Sequence, residues 1–392
     1  MGLGSANKGH VSLATARQLA AEAREMVARG LDPVAGRERE RLKREAEEAK
    51  AAPKTFGTFA EDWMNQNLNQ HRNEKHRAQW RSTLRIHAKS LWNIHLDAIR
   101  TEDVLEALQL IWTKTPETAK RTQGRIEKIL DAARAAGQRT GENPARWRGH
   151  LALLLPKRPK AQHQTAMAYA DIPAFMVELR KRTSVSAKAL EFLILAAARS
   201  GEVRGMTWGE LNADKTLWTV PAKRMKAGIE HRVPLTDRAR HILIEMGQNR
   251  PATNSASDLV FPGQRAGKSA TPALSDMTLT KLLRDMRELK GEQHEALRKL
   301  LSDGSGNPVV VHGFRSTFRD WAEDVARFPA RVVEHALAHT IKDKAEAAYR
   351  RGDALDQRKE LMAAWDDYLF PSSKSCGQPD KDGDVSHPVS RD

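Results

Sequence analysis

From Phe56 to about Trp147 the apolar residues recur only at helical spacing, and no stretch alternates as a half-buried strand would. That confines this part of the chain to a bundle of helices. In "TFAEDWMNQNL", Phe59, Trp63 and Met64 fall four and five residues apart. In "RAQWRSTLRIHAKSLW", Trp80, Leu84 and Leu91 share one side, while Arg77, Arg81 and Arg85 stack every fourth residue on another. "TPETAKRTQGRIEKILDAARAAG" repeats the design, with Ile126, Ile129 and Leu130 opposite Lys120, Arg121, Arg125 and Lys128. Two basic helical faces in one small domain suit the grip of a duplex backbone, though an ordinary solvated face has the same pattern.

Gly141, Pro144, Pro156 and Pro159 end the helical run in "GENPARWRGHLALLLPKRPKAQHQ", so residues 148–166 read as a linker. A second domain is expected over 167–370. It is again mostly helical, with one interruption: "TLWTVPAKRMKAGIEHRVPLT" alternates and turns through a glycine, as a β-hairpin does. The fold class expected is therefore mainly α with a small β-hairpin in the second domain. Before residue 55, Ser12 is placed to cap a helix that Gly30 and Pro33 stop, followed by the charged "VAGRERERLKREAEEAKAAP". Residues 371–392, polar and Gly/Pro-containing, read as a disordered tail.

Lys and Arg outnumber Asp and Glu by 65 to 50, a formal charge of +15. Such an excess repels itself unless a polyanion is the working partner, and nucleic acid rewards clustered cations by counterion release. The single cysteine, Cys376, excludes a disulfide framework or a thiolate metal site. No apolar run approaches the roughly 18 residues of a membrane span, and "MGLGSANKGHVSLATAR" lacks the apolar stretch of a secretory signal. A soluble cytoplasmic protein is expected.

Four short stretches can carry chemistry. "LILAAARSGEVRGMTW" delivers Arg199 at the end of an apolar helix, with Glu202 three residues on to orient it; by itself this is equally a structural ion pair. "VVVHGFRSTFRDWA" puts His312 and Arg315 on one helical face, a proton-exchanging group beside a fork of donors for an oxyanion. By itself HxxR occurs often by chance. "KRMKAGIEHRVPL" offers Lys226 near a turn, where a long side chain can reach a leaving group or simply aid solubility. "LAHTIKDKAEAAYRRGD" sets His339 ten residues before Tyr349, one of only three tyrosines.

Taken jointly, the order Arg, hairpin Lys, HxxR, His, Tyr resembles the catalytic domain of the tyrosine recombinase (phage integrase) family, and more closely the prophage and genomic-island integrases. The likeness spans roughly residues 10–370. It implies that residues 55–147 are a helical core-binding domain and 167–370 the catalytic domain. It further implies that Arg199 and Arg315 bind the non-bridging oxygens of a scissile phosphate, and that His312 and His339 add hydrogen bonds, His312 also accepting the nucleophile's proton. Lys226 would protonate the departing 5′-oxygen, and Tyr349 would attack phosphorus to give a 3′-phosphotyrosine. A phenol with a pKa near 10 needs such cations and a base to attack at neutral pH. No cofactor is expected, and no carboxylate cluster is spaced to hold a divalent metal.

The implied partners are double-stranded attachment-site DNA, further copies of the chain in a synaptic tetramer (monomeric when free), an excisionase and a host DNA-bending protein. The rival expectations are relaxation of DNA by a type IB topoisomerase and a degenerate integrase that only binds DNA. Relatives of this type begin with an arm-binding domain, of which residues 1–54 resemble only the closing part and linker. "ELMAAWDDYLF" sets Leu361, Trp365, Tyr368 and Leu369 at helical spacing, for packing on their own domain or on a neighbouring protomer. The charged segment 288–307 has no assigned role.

Overall fold

The computed structural model describes residues 12–36, 38–42, 54–69, 74–157, 164–248, 250, 255–263, 272–339 and 352–371. The chain divides into two units, 1–161 and 162–392. Helix α1 (Leu13–Ala28) starts as the sequence suggests, with Ser12 Oγ accepting from the Thr15 N–H at 3.1 Å. It buries none of its own residues.

The bundle of the first unit comprises α2 (Phe56–Asn67), α3 (Glu74–His87), α4 (Thr101–Trp112) and α5 (Pro116–Ala135). The stripes read from the sequence meet in its core, where Phe56, Met64, Leu84, Leu91, Ile126, Ile129 and Leu130 are fully buried. Gly57 is required there. A Cβ at that position would stand 2.4 Å from the Trp92 indole, which lies flat on the backbone.

The expected linker 148–166 is shorter than its prolines suggest, because both ends pack. Leu151 is fully buried, the Trp147 ring packs at a tilt against Trp112 with centroids 5.5 Å apart, and Trp112 Nε1 donates to the Pro156 carbonyl at 2.9 Å. At the other end the Thr165 carbonyl accepts from the Val310 N–H at 3.2 Å, within the second unit. Of the apolar "LALLL" run only Leu151 is buried, while Leu153 and Leu154 are exposed.

The second unit is built around α7 (Val185–Leu195), buried on nearly all sides as its uninterrupted apolar run demands. Around it lie α6 (Ile172–Arg180), α8 (Ser200–Arg204), α9 (Asp237–Gln248), α10 (Thr278–Arg287) and α11 (Glu295–Leu300). Strands β1 (Leu217–Val220) and β2 (His231–Pro234) pair antiparallel, Val220 opposite His231, so the hairpin loop is residues 221–230. Segment 288–307 turns out to be structural: Leu297 and Leu301 are buried, and α11 packs on α6 and α10.

The remaining helices are α12 (Gly313–Asp324), α13 (Ala330–Ala336) and α14 (Leu355–Leu369). Helix α14 docks on its own domain. Leu361, Met362, Trp365 and Leu369 are buried, and Trp365 Nε1 donates to the Ile194 carbonyl at 2.9 Å. Arg358, 1 % exposed, ties the helix entrance down by donating to the Asp353 carboxylate at 2.8 Å and its carbonyl at 2.7 Å. Arg232 of β2 holds the same carboxylate with two bonds of 2.9 Å. Among the described residues no helix is long and apolar enough to cross a membrane.

Candidate active site

The site is made of helix ends. Helix α7 stops at Leu195, and Ala197 takes a left-handed backbone (φ 47°) that turns the chain so that Arg199 caps α8. Glu202, buried, receives the Arg199 N–H at 2.8 Å through one oxygen and Nη1 at 2.8 Å through the other. A second left-handed residue, Ala338 (φ 48°), follows α13 and presents His339.

His312 stands at the start of α12 behind a buried lead-in of Val309 and Val311. The next residue must be glycine, because a Cβ on Gly313 would sit 2.2 Å from the Thr165 carbonyl oxygen. One turn on, Arg315 is 4 % exposed. Its fork donates to the carbonyls of Ala197 and Leu337, and Nη2 lies 3.3 Å from His339 Nε2. Arg199 Nη2 reaches the same Leu337 carbonyl at 3.3 Å and that of Ala338 at 3.1 Å. Two guanidinium groups are thus held beside each other by carbonyls at the negative ends of two helices. Together with His312 they border a cleft of about 430 Å3.

Crowding of like charge shapes the electrostatics. Burial, then the Arg199 charge, lowers the Arg315 guanidinium to about 10, which leaves it charged near neutrality. Burial also lowers the His312 imidazole, reinforced by Arg315, Arg199, His339 and Lys226. His312 is therefore neutral around pH 7 and able to take a proton. The arrangement can bind a dianion-like, trigonal-bipyramidal oxyanion and accept a proton beside it.

Lys226 is exposed in the hairpin loop, and its charge is felt at His312. The loop base is stapled by Arg224, which sequence reasoning missed: it pairs with the Glu210 carboxylate and donates to the Glu202 carbonyl. Gly205 leaves room for it, since a Cβ there would come within 3.0 Å of its guanidinium. Tyr349 lies outside the described residues. The other two tyrosines are spent on packing, with the Tyr368 hydroxyl donating to the Tyr169 carbonyl at 3.3 Å.

Residues 56–150 match the phage integrase central domain and residues 162–355 the phage integrase family. The chain belongs to the phage integrase family. Its members are the tyrosine recombinases, and this one is of prophage type. It is 29 % identical to the prophage integrase IntA of Escherichia coli K12, over 92 % of this chain and 79 % of that one. The fold is that of lambda integrase. A lambda integrase dimer bound to a core site superposes with a TM-score of 0.56 at 14 % identity, covering 74 % of this chain and 96 % of that one. A lambda integrase tetramer bound to a Holliday junction gives 0.54 at 14 % identity, covering 74 % and 79 %.

The recombinase thus brings Arg199, His312, Arg315 and His339 together. The basic residues of its helical unit fare unevenly. Lys120 and Arg121 are exposed, but Arg125 is a correction: it is 7 % exposed, donates to the Gln79 carbonyl at 2.7 Å and lies over the Trp80 ring at 5.0 Å. A residue four along from Arg121 faces the core here because α3 crosses α5 at that turn. On α3, Arg85 pairs with Glu61 at 2.7 Å, Arg81 approaches the same carboxylate at 3.6 Å, and Arg77 is half-buried. Glu334, which no sequence pattern singled out, contacts His339 at 2.6 Å.

Proposed function

We propose that this recombinase cleaves and rejoins duplex DNA at a specific attachment site, with Arg199, Lys226, His312, Arg315, His339 and Tyr349 as its catalytic set. The observation that carries the reading is the convergence of two arginine forks and His312 on one cleft, with His339 against the Arg315 fork, and these cations have no full counter-charge. A scissile phosphate supplies that charge. Its two non-bridging oxygens meet Arg199 and Arg315. Tyr349 attacks phosphorus while its phenolic proton passes to neutral His312. The P–O5′ bond breaks with a proton from Lys226, leaving a 3′-phosphotyrosine and a free 5′-hydroxyl. Attack of another strand's 5′-hydroxyl reverses these steps, so the ester's energy is retained and no nucleotide is consumed.

Lambda integrase, which shares the fold, is known as a dimer on a core site and a tetramer on a Holliday junction. By that analogy the partners here are attachment-site DNA and further copies of the chain, with Lys120 and Arg121 on the phosphate backbone. The protein would work with the DNA in the cytoplasm, integrating or excising a prophage or genomic island.

The test is a nicked suicide duplex drawn from the DNA that flanks the gene. Wild-type protein should form a covalent adduct, with or without a chelator, and Tyr349→Phe should form none. An adduct that survives in Tyr349→Phe would reject the nucleophile, and no adduct on any flanking sequence would reject the activity.

A further inference from the structure

The hairpin loop 221–230 is not a free arm. Its first half is packed: Ala222–Arg224 form a 3-10 turn, and Met225 behind it is buried. The exposed part begins at Lys226 and runs to Glu230. There the Gly228 N–H closes a turn on the Met225 carbonyl at 3.1 Å, with Lys226 as the second residue of that turn.

Arg224, two residues before Lys226, is where the loop meets the rest of the site. Its Nη1 donates to both oxygens of the Glu210 carboxylate, and its Nη2 to the Glu202 carbonyl. That carbonyl is among the last four of α8, which have no partner within the helix. Glu210 is fixed in turn by fully buried Trp218 of β1, whose Nε1 donates to it at 2.9 Å. The Arg224 and Glu210 side chains are 18 % and 9 % exposed, so water and salt screen the pair weakly. Glu202 thus serves two cations at once: its side chain holds Arg199, and its main-chain oxygen holds Arg224.

We propose that Arg224 is a positioning residue for the leaving-group proton: bonded to Glu210 and to the Glu202 carbonyl, it fixes the Lys226 turn relative to Arg199. The role rests on the reading of Lys226 as the group that protonates the departing 5′-oxygen. As the P–O5′ bond breaks, its electron pair goes to that oxygen, which takes a proton from the Lys226 ammonium and leaves a neutral amine behind. A lysine stem is long and flexible, so delivery to one atom depends on where its backbone is held. Lys226 is near enough for its charge to be felt at His312, which borders the same cleft as Arg199. Lysine could not replace Arg224, since it lacks the planar fork that meets a carboxylate and a carbonyl together.

The experiment exchanges the leaving oxygen for sulfur. The full chain is given the suicide duplex with a 5′-bridging phosphorothiolate at the scissile position, which the wild-type adduct locates. A thiol has a pKa near 8.5, so the sulfur departs as thiolate without waiting for a proton. On the all-oxygen duplex, Lys226→Ala should form adduct about 10²–10⁴ times more slowly than wild type. Arg224→Lys should be about ten- to a hundredfold slower, the cost of a misplaced group. On the sulfur duplex both should come within a few-fold of wild type, whereas Arg199→Ala, which loses phosphate binding, should stay slow on both. The double variant Arg224→Met with Glu210→Gln strands no buried charge and should behave as Arg224→Lys does. Arg224 variants that match wild type on oxygen, or that stay slow on sulfur while Lys226→Ala recovers, overturn the proposal. If sulfur fails to restore Lys226→Ala itself, Lys226 is rejected as the proton donor instead.

Discussion

Asp366 carries a charge that the fold does not want. On α14 its Oδ1 is buried without a hydrogen-bond partner, and the nearest cation, Arg238, is 3.7 Å away. Burial is the largest cause that lifts its carboxyl from 3.8 to about 6; Arg238 opposes the rise, while Asp367 and Asp237 add to it. Two pH units at 1.36 kcal/mol each make about 3 kcal/mol, an upper bound on what ionising this group costs the fold at neutral pH.

The sign follows from proton counting. Between 3.8 and about 6 the folded chain holds a proton here that the unfolded chain has lost, so this contribution falls as pH rises. His231 on β2 works the other way. Burial first, then the Arg358 charge, lower it from 6.5 to about 4, so its contribution is complete above 6.5 and is lost as pH falls toward 4. The two slopes oppose each other between pH 4 and 6. Asp366→Asn removes one of them.

The variant should therefore match wild type near pH 4, gain steadily as pH rises, and exceed it by about 1–3 kcal/mol at pH 7.5. Because the chain has two units, a single unfolding midpoint is ambiguous. Hydrogen exchange of peptides from 355–369 reads the opening of α14 directly. An Asn variant that opens as easily as wild type at pH 7.5, or more easily, would refute the reasoning and show that the Arg238 contact outweighs burial.

Gly313→Ala should destabilise the second unit by roughly 3 kcal/mol or more, since its Cβ would meet backbone rather than a movable side chain; loss of a cooperative melt for that unit is the check. Ala338→Gly should raise thermal stability by up to about 1 kcal/mol, because φ 48° strains an alanine and not a glycine, with adduct formation kept. Arg125→Ala should lower the stability of the first unit by about 1–3 kcal/mol and leave the salt dependence of DNA binding unchanged. Arg121→Ala should do the reverse, cutting the slope of log affinity against log salt by about one; a gel-shift titration in salt separates them.

The helices of the first unit and the hairpin of the second were legible because each rests on a local pattern that tertiary contacts only reinforce. The stripe of Leu361, Trp365 and Leu369 was equally plain, but not the surface it meets, since an apolar face does not name its partner. The site was legible only as a set: Arg199, Lys226, the His312–Arg315 pair and His339 are each ambiguous alone. What escaped were contacts with no sequence period. Glu334 reaches His339 through the left-handed turn at Ala338, Arg224 reaches Glu210 across the hairpin base, and Asp353 meets Arg232 from a distant strand. Arg125 was misplaced for a related reason: the basic face of α5 is wider than its solvent-facing part, and only the crossing helix decides where it ends.

The acceptors that hold Arg199 and Arg315 are mostly main-chain oxygens, those of Ala197, Leu337 and Ala338. An oxygen of the main chain is present whatever side chain is written beside it. The acceptors themselves therefore do not depend on which side chain stands at those positions, although the burial of Ala197 and Leu337 and the left-handed backbones of Ala197 and Ala338 restrict what can replace them. Insertion or deletion of a single residue in 196–198 or 337–338 is another matter, because it would slide the carbonyls past the guanidinium groups and detach both arginines at once.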